Sequence, residues 1–146
     1  MAIQTDYMVL ADAATAADGK LYIHGGGWNR INVASFPVVY SFALGIQFRI
    51  PWTDTNVPCT IEFDVVDEDE RSIFPDEAKK IKGEITAGRP PDLIPGDDQV
   101  LSMGIRINPE FQHAGQYKAI MRLDGVPAQS AKFRVIAVPP IQVSQQ

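Results

Sequence analysis

Apolar and polar residues alternate along most of this chain, and turn residues punctuate the alternation at short intervals. The stretch YMVLADAATA (7–16) alternates at its start, as a half-buried strand does. Asp18-Gly19 is a two-residue hairpin turn signal, and KLYIHG (20–25) returns with Leu21 and Ile23 on one face and Tyr22 and His24 on the other. VVYSFALGIQFRI (38–50) is rich in β-branched and aromatic residues and reads as one long strand. Phe42, Leu44, Ile46, Phe48 and Ile50 share a face there, and Gly45 marks a bulge or a close neighbour. CTIEFDVVD (59–67) points Ile61, Phe63 and Val65 inward and Glu62 and Asp64 outward. QVLSMGIRI (99–107) carries Leu101, Met103, Ile105 and Ile107, and QYKAIMRL (116–123) carries Tyr117, Ala119, Met121 and Leu123. A second turn signal, Asp124-Gly125, leads to AKFRVIAV (131–138) with Phe133 and Val135. The pattern predicts about seven or eight strands spaced by turns, the cue for a sandwich or barrel. The expected fold is all-β: an antiparallel two-sheet β-sandwich, immunoglobulin-like or C2-like in outline, with residues 1–146 as one domain.

Two segments break the alternation. FPDEAKKIKG (74–83) has the marks of a short helix near 75–82. Pro75 suits the first position, Asp76 and Glu77 the positive end, Lys79 and Lys80 the negative end, and Gly83 the stop. The same residues read equally as a loop entering a strand, KKIKGEITA. GRPPDLIPGDDQ (88–99) is a loop whose three prolines lower the cost of ordering it, and ordered loops on rigid scaffolds often carry partner contacts.

Bulk properties narrow the class. The net charge is −5, with ten acids and four bases in residues 1–75 and eight acids and nine bases in 76–146. Neither half is basic enough to neutralise a nucleic-acid backbone, and an anionic membrane is excluded as a partner on the same ground. The single cysteine, Cys59, forbids an intrachain disulfide and fits a reducing compartment. It opens a strand and reads as a small buried residue rather than a reactive thiol. The first twenty residues lack a basic region, and Asp6 and Asp12 interrupt their apolar run, so no signal peptide is expected. No window reaches the apolar length of a membrane span. The expected location is the cytoplasm, or a particle assembled there.

Candidate chemistry begins at YIHGGGWNRI (22–31). The string HGGG also lines the oxyanion hole of lipases and esterases, but that chemistry needs a G-x-S-x-G elbow. None of the serines at 35, 41, 72, 102, 130 and 144 sits in one, and His113 is the only histidine besides His24. A phosphate cradle would open a helix, and WNRINVASFP opens none. The glycines are read as a bend at a strand end. The spacing of Asp67, Asp69 and Asp76 is similar to that in the calcium loops of C2 domains. Such sites draw carboxylates from a second loop, and the candidates Asp54, Asp97 and Asp98 lie in no motif, so a solvated hairpin tip is the preferred reading. Trp28 and Trp52 each cap the core or form a binding hot spot, and with Arg30 they are the candidate binding residues. No cofactor is expected.

Two resemblances extend this reading. NPEFQHAGQYKAIMRLDG (108–125) resembles the last hairpin of immunoglobulin-like and fibronectin-like sandwiches, with Phe111 and Gly115 preceding a corner tyrosine, Tyr117. MVLADAATAADGKLYIHGGGWNRI resembles the opening of a family of small, uncharacterised bacterial β-sandwich domains with an L-A-D-A strand, an A-D-G-K-L turn and a G-G-G-W run. That resemblance implies one compact domain without a catalytic residue, in which the glycines and Trp28 belong to a shared structural feature. The expected function is a non-enzymatic module for protein–protein interaction, or a structural subunit of the decoration type found on virions and filaments. Self-assembly into a homo-oligomer is expected, because termini fray unless tied down and the tail PPIQVSQQ would be held by a neighbouring subunit. The alternative is a small-ligand binder, for a carbohydrate or lipid headgroup, stacking on Trp28 or Trp52.

Overall fold

The structure is a computed structural model that describes residues 3–77 and 80–139. Ala78 and Lys79 of the expected helical turn, and the tail from residue 140 onward, lie outside the described residues. Eleven strands form among the described ones: β1 (Gln4–Ala17), β2 (Lys20–Gly26), β3 (Arg30–Val33), β4 (Val38–Val39), β5 (Phe42–Pro51), β6 (Cys59–Val66), β7 (Ile81–Ile85), β8 (Asp98–Ile107), β9 (Glu110–Phe111), β10 (Gly115–Leu123) and β11 (Val126–Ala137). They make a four-stranded sheet of order β2-β1-β5-β8, a five-stranded sheet of order β3-β11-β10-β6-β7 and a small β4-β9 ladder. The sheets curl into half-barrels, and the protein is all-β. No helix among the described residues is long and apolar enough to cross a membrane.

The strand count exceeds the expected seven or eight because β3, β4 and β9 are too short for alternation to register. The segment 38–50 is not one strand: it breaks at Tyr40, whose N–H donates to Pro109 O at 3.1 Å. Pairing is not wholly antiparallel either, since β3 lies parallel to β11 with Arg30 opposite Arg134 and Val33 opposite Ala137. The helix expected near 75–82 gives way to the alternative, because Ile81 and Lys82 already belong to β7 and pair with Phe63 and Glu62.

Both Asp-Gly signals are tight hairpins. Asp18 and Gly19 have φ of 52° and 72°, Asp124 and Gly125 have 49° and 80°, and the flanking residues pair directly. Two successive positive φ angles are the type I′ geometry that suits the twist of the strands.

The core forms where the inward rows of the two larger sheets meet. Phe42 of β5 and Phe133 of β11 make an edge-to-face contact at 5.5 Å, and Phe111 meets Tyr117 at 4.8 Å. These four rings are almost wholly buried, and each such burial contributes about 1.5–3 kcal/mol. The Tyr117 hydroxyl donates to His113 O at 2.6 Å, closing a corner four residues upstream.

The first half of β5, Phe42 to Ile46, is buried on both faces. Its second row is small, with Ala43 and Gly45, and the far half of the β1–β2 hairpin folds over it. A Cβ at Gly45 would lie 3.1 Å from Ile23 Cδ1. Gly45 pairs with Gly104 of β8, and a Cβ at Gly104 would run into the Ala14 carbonyl. The two glycines therefore give the hairpin its seat.

Asp64 points to the outer face of β6 as expected, yet it is 2% exposed because the segment after β6 folds over it. Ile73 N–H donates to Val65 O at 2.9 Å, and the Ser72 hydroxyl donates to Asp64 Oδ1 at 2.6 Å. Arg122 Nη1 and Lys80 Nζ approach Asp64 Oδ2 at 3.2 and 3.5 Å. A buried carboxylate is tolerated when its charge and lone pairs are met in this way.

Two substitutions test these contacts by chemical denaturation. Gly104→Val should cost about 1–3 kcal/mol through overpacking against backbone, whereas Gly88→Ala, with open space around it, should be near neutral. Asp64→Ala strips Arg122 and Lys80 of their shared partner and should cost about 3 kcal/mol. A loss below about 0.5 kcal/mol, the range of ordinary surface changes, would show that the strap is not held by this carboxylate.

Candidate functional site

The glycine run bends the end of β2. Gly25 and Gly27 have φ of 62° and 89°, and Gly27 N–H donates to Leu10 O at 2.9 Å. A Cβ at Gly25 would run into the Asp12 carboxylate, and its positive φ favours glycine there. The bend turns Trp28 inward, edge-to-face with Phe42 at 5.5 Å and Phe133 at 6.4 Å. The indole Nε1 is buried without a hydrogen-bond partner among the described residues. His24 is exposed on β2 opposite Ala13, and the His113 ring stacks beside Tyr117 at 6.3 Å. Neither imidazole is hydrogen-bonded to a carboxylate among the described residues.

Trp52 begins a 3-10 turn, Trp52–Asp54, and its ring carries the Arg89 guanidinium 3.6 Å above the centroid. Arg89 also donates from Nε to Thr55 Oγ1 at 2.6 Å and from Nη2 to Trp52 O at 2.8 Å. One arginine thus pins the proline-rich loop to this turn. Arg30, on β3, is exposed beside Arg134. The structure does not gather Trp28, Arg30 and Trp52 into one site: Trp28 faces the core, Arg30 the outer sheet surface, and Trp52 the loop.

The carboxylates considered for a cation are also dispersed. Asp67 Oδ1 accepts from the N–H groups of Asp69 and Arg71 at 2.9 and 3.0 Å, which organises the turn after β6. Among the described residues no three His, Cys, Asp or Glu side chains are grouped to hold a metal ion. Cys59 is 1% exposed, and burial pushes its thiol up, away from the thiolate form. Asp124, in the adjacent hairpin turn, accepts from Thr60 N–H at 3.0 Å and Thr60 Oγ1 at 3.1 Å. These bonds, the backbone one first, hold its carboxyl below the ordinary value.

The feature best suited to contact another molecule is the free edge of β8. Its ten residues pair with β5 from Asp98↔Pro51 to Ile107↔Phe42 without a register shift. Leu101, Met103 and Ile105 pack inward; in the outward row Val100 is exposed, Ser102 is half-buried and Gly104 lies under the Ala14 carbonyl. Among the described residues, β8 has no ladder on its other side. From Gln99 to Ile105 it carries no charge, and Asp98 and Arg106 bracket the run. Arg106 donates to Asp12 O at 2.7 Å and Ser41 Oγ at 2.9 Å. An open groove of about 480 Å³ runs beside the strand, between Ala14–Ala16 and Ile85–Thr86. Proteins usually blunt such an edge with charge, proline, a bulge or brevity. The other edges comply: β3 has four residues, β7 has five with Lys82 and Glu84, and β2 ends in glycines. Alternation marks β8 as a strand but does not mark it as an edge. The available signal is the uncharged run between two opposite charges.

A family of unknown function, DUF6941, matches residues 6–136. The chain belongs to it. No curated protein matches. Among solved structures, an alkylpurine DNA glycosylase, AlkC, from Pseudomonas fluorescens, bound to DNA containing an abasic site analog, is similar at 11% identity with a TM-score of 0.44. The likeness covers 92% of this chain and 30% of that one.

The Asp124 turn gives a pH prediction. Its folded-state pKa lies below the unfolded one, so its stabilisation is complete above about 3.9, the ordinary carboxylate value, and is lost as pH falls through the folded value. Melting curves from pH 2 to 5 should show Asp124→Asn with a shallower acid slope than the parent protein, and equal slopes would remove the carboxylate from the account.

Proposed function

We propose that the protein is a non-enzymatic interaction and assembly module that docks through the β8 edge, and that the strand added there is β8 of a second copy. The observation that carries this reading is the ten-residue, bulge-free edge with a charge-free middle. Main-chain pairing along such an edge provides affinity, and side chains provide register. An antiparallel pair centred on Ser102 sets Asp98 of each copy opposite Arg106 of the other, with Val100 opposite Gly104. Opposite charges at both ends of a twofold ladder are the self-complementarity that an isologous contact requires. The ligand-binding alternative is weaker, since the half-buried Trp28 packs edge-on against Phe42 and Phe133 of the core and Trp52 holds Arg89 on one face.

The finer architecture belongs to the same proposal. The Phe42–Phe133 contact between sheets and the Tyr117 corner support a β-sandwich of immunoglobulin-like outline. The buried, unpaired Cys59 supports a reducing, cytoplasmic setting.

Light scattering across a concentration series tests the assembly. The parent protein should move toward twice the protomer mass as concentration rises. The double variant Val100→Lys, Ser102→Lys, which alters only the outward row, should stay a protomer with an unchanged circular-dichroism spectrum. A parent protein that remains a single protomer throughout, or a variant that associates equally, would overturn the reading.

A further inference from the structure

The outer face of the five-stranded sheet carries a second feature, unconnected with β8. Arg30 of β3 stands directly opposite Arg134 of β11, and Lys132 of β11 stands directly opposite Lys118 of β10. Like charges in directly opposed positions destabilise a sheet. Here two such pairs adjoin, in a chain whose net charge is −5 and whose carboxylates outnumber its cations. Among the described residues one of the four is paired with an acid: Lys118 Nζ meets Glu70 at 3.1 Å. Glu68, in the same turn, accepts from Gln116 N–H at 3.0 Å. Among the described residues, no carboxylate lies within ion-pair distance of Arg30, Lys132 or Arg134.

These three cations surround a concavity of about 350 Å³, completed by Asn29, Gln116 and Phe133. The site is ordered at its base. Arg134 N–H donates to Asn29 O at 2.9 Å, and the Gln116 amide oxygen, oriented to satisfy both groups, accepts from Arg134 Nη2 at 2.8 Å and Nε at 3.1 Å. Among the described residues no side-chain hydrogen bond or ion pair engages the Arg30 guanidinium, whose fork matches the edge of a tetrahedral oxyanion.

We propose that Arg30, Lys132 and Arg134 form a binding site for a phosphate dianion, either free or as the terminal group of a phosphomonoester. A dianion offsets two of the three charges and offers three or four oxygens to donors that converge from two strands, whereas a carboxylate would leave most of the repulsion in place. A continuous polyanion such as nucleic acid is disfavoured, because the Asp67–Glu70 turn sets Asp67, Glu68 and Glu70 around the adjoining concavity on the β10 side.

The test uses the full chain with inorganic phosphate, a phosphoserine peptide, its unphosphorylated counterpart and a single-stranded oligonucleotide, all at matched ionic strength in chloride. Binding is followed by amide chemical shifts and by melting temperature. Phosphate should shift the amides of Arg30 and of residues 132–134 saturably and raise the melting temperature beyond chloride. If the natural source is a phosphomonoester, the phosphopeptide should bind more tightly than inorganic phosphate; if free phosphate, the two should bind alike. Arg30→Gln with Arg134→Gln should weaken binding about tenfold or more, as loss of charge-assisted hydrogen bonds does. Without phosphate, Arg30→Gln alone should melt at or above the parent temperature, since it removes repulsion and breaks no side-chain hydrogen bond among the described residues. Equal responses to phosphate and chloride, undiminished binding by the double variant, or a preference for the oligonucleotide would each overturn the proposal, as would an Arg30→Gln variant that melts lower.

Discussion

A strand buried on both faces cannot stand at the surface of a sheet, and the first half of β5, Phe42 to Ile46, is such a strand. The large row of β5, Phe42 to Ile50, faces the shared interior, while on the other face Ala43 and Gly45 are buried, Gly45 under Leu21 and Ile23 of β2. That arrangement requires β1 to serve two neighbours in turn. Residues 4–11 pair with β5, and residues 11–17 pair with β2 as the ribbon crosses above. The curl of the four-stranded sheet, the place of the glycine bend and the inward turn of Trp28 all follow from making that crossing possible. The hydrophobic effect drives it, and the missing side chains at Gly45 and Gly104 permit it.

Much of this is legible in the alternation of residues. The rows of β5, β6, β8, β10 and β11 are readable because each strand turns its large apolar residues to the shared interior, and period two then carries the information. Gly45 reads as a close neighbour, and the Asp-Gly pairs as hairpins, because backbone geometry at those positions restricts the residue type. What escapes is whatever depends on non-local partners. β3 is four residues long and pairs in parallel with a strand a hundred residues away, so no local turn announces it. Alternation gives the outward face of Asp64 correctly, but the strap that buries it comes from the following segment. The edge status of β8 is a property of sheet order, which alternation does not encode. Arg30 is a contact candidate from sequence alone, whereas its juxtaposition with Arg134 needs the register.

Electrostatics divides the outer face of the five-stranded sheet. Around β6 and β7, Glu62, Asp64 and Glu77 are matched with Arg122, Lys80 and Lys82 in a network. Around β11 and β3 the cations lack carboxylates among the described residues. Both halves are built from the same alternating sheet positions, so the contrast lies in which segments reach over the sheet. The strap after β6 reaches the first half and stops at Glu68 and Glu70 on the border of the second. A compensated half has little left to offer a visitor, whereas an uncompensated one keeps a standing field.

The proline-rich loop is fastened at both ends. Asn56 N–H donates to Ala87 O at 2.7 Å, Trp52 N–H donates to Asp97 O at 3.2 Å, and Arg89 lies across Trp52. Between those clasps, residues 90–96 form an excursion whose length has no bearing on strand register. A loop tied off in this way isolates the scaffold from whatever occupies its apex, which makes that apex the natural position for an inserted epitope or reporter sequence.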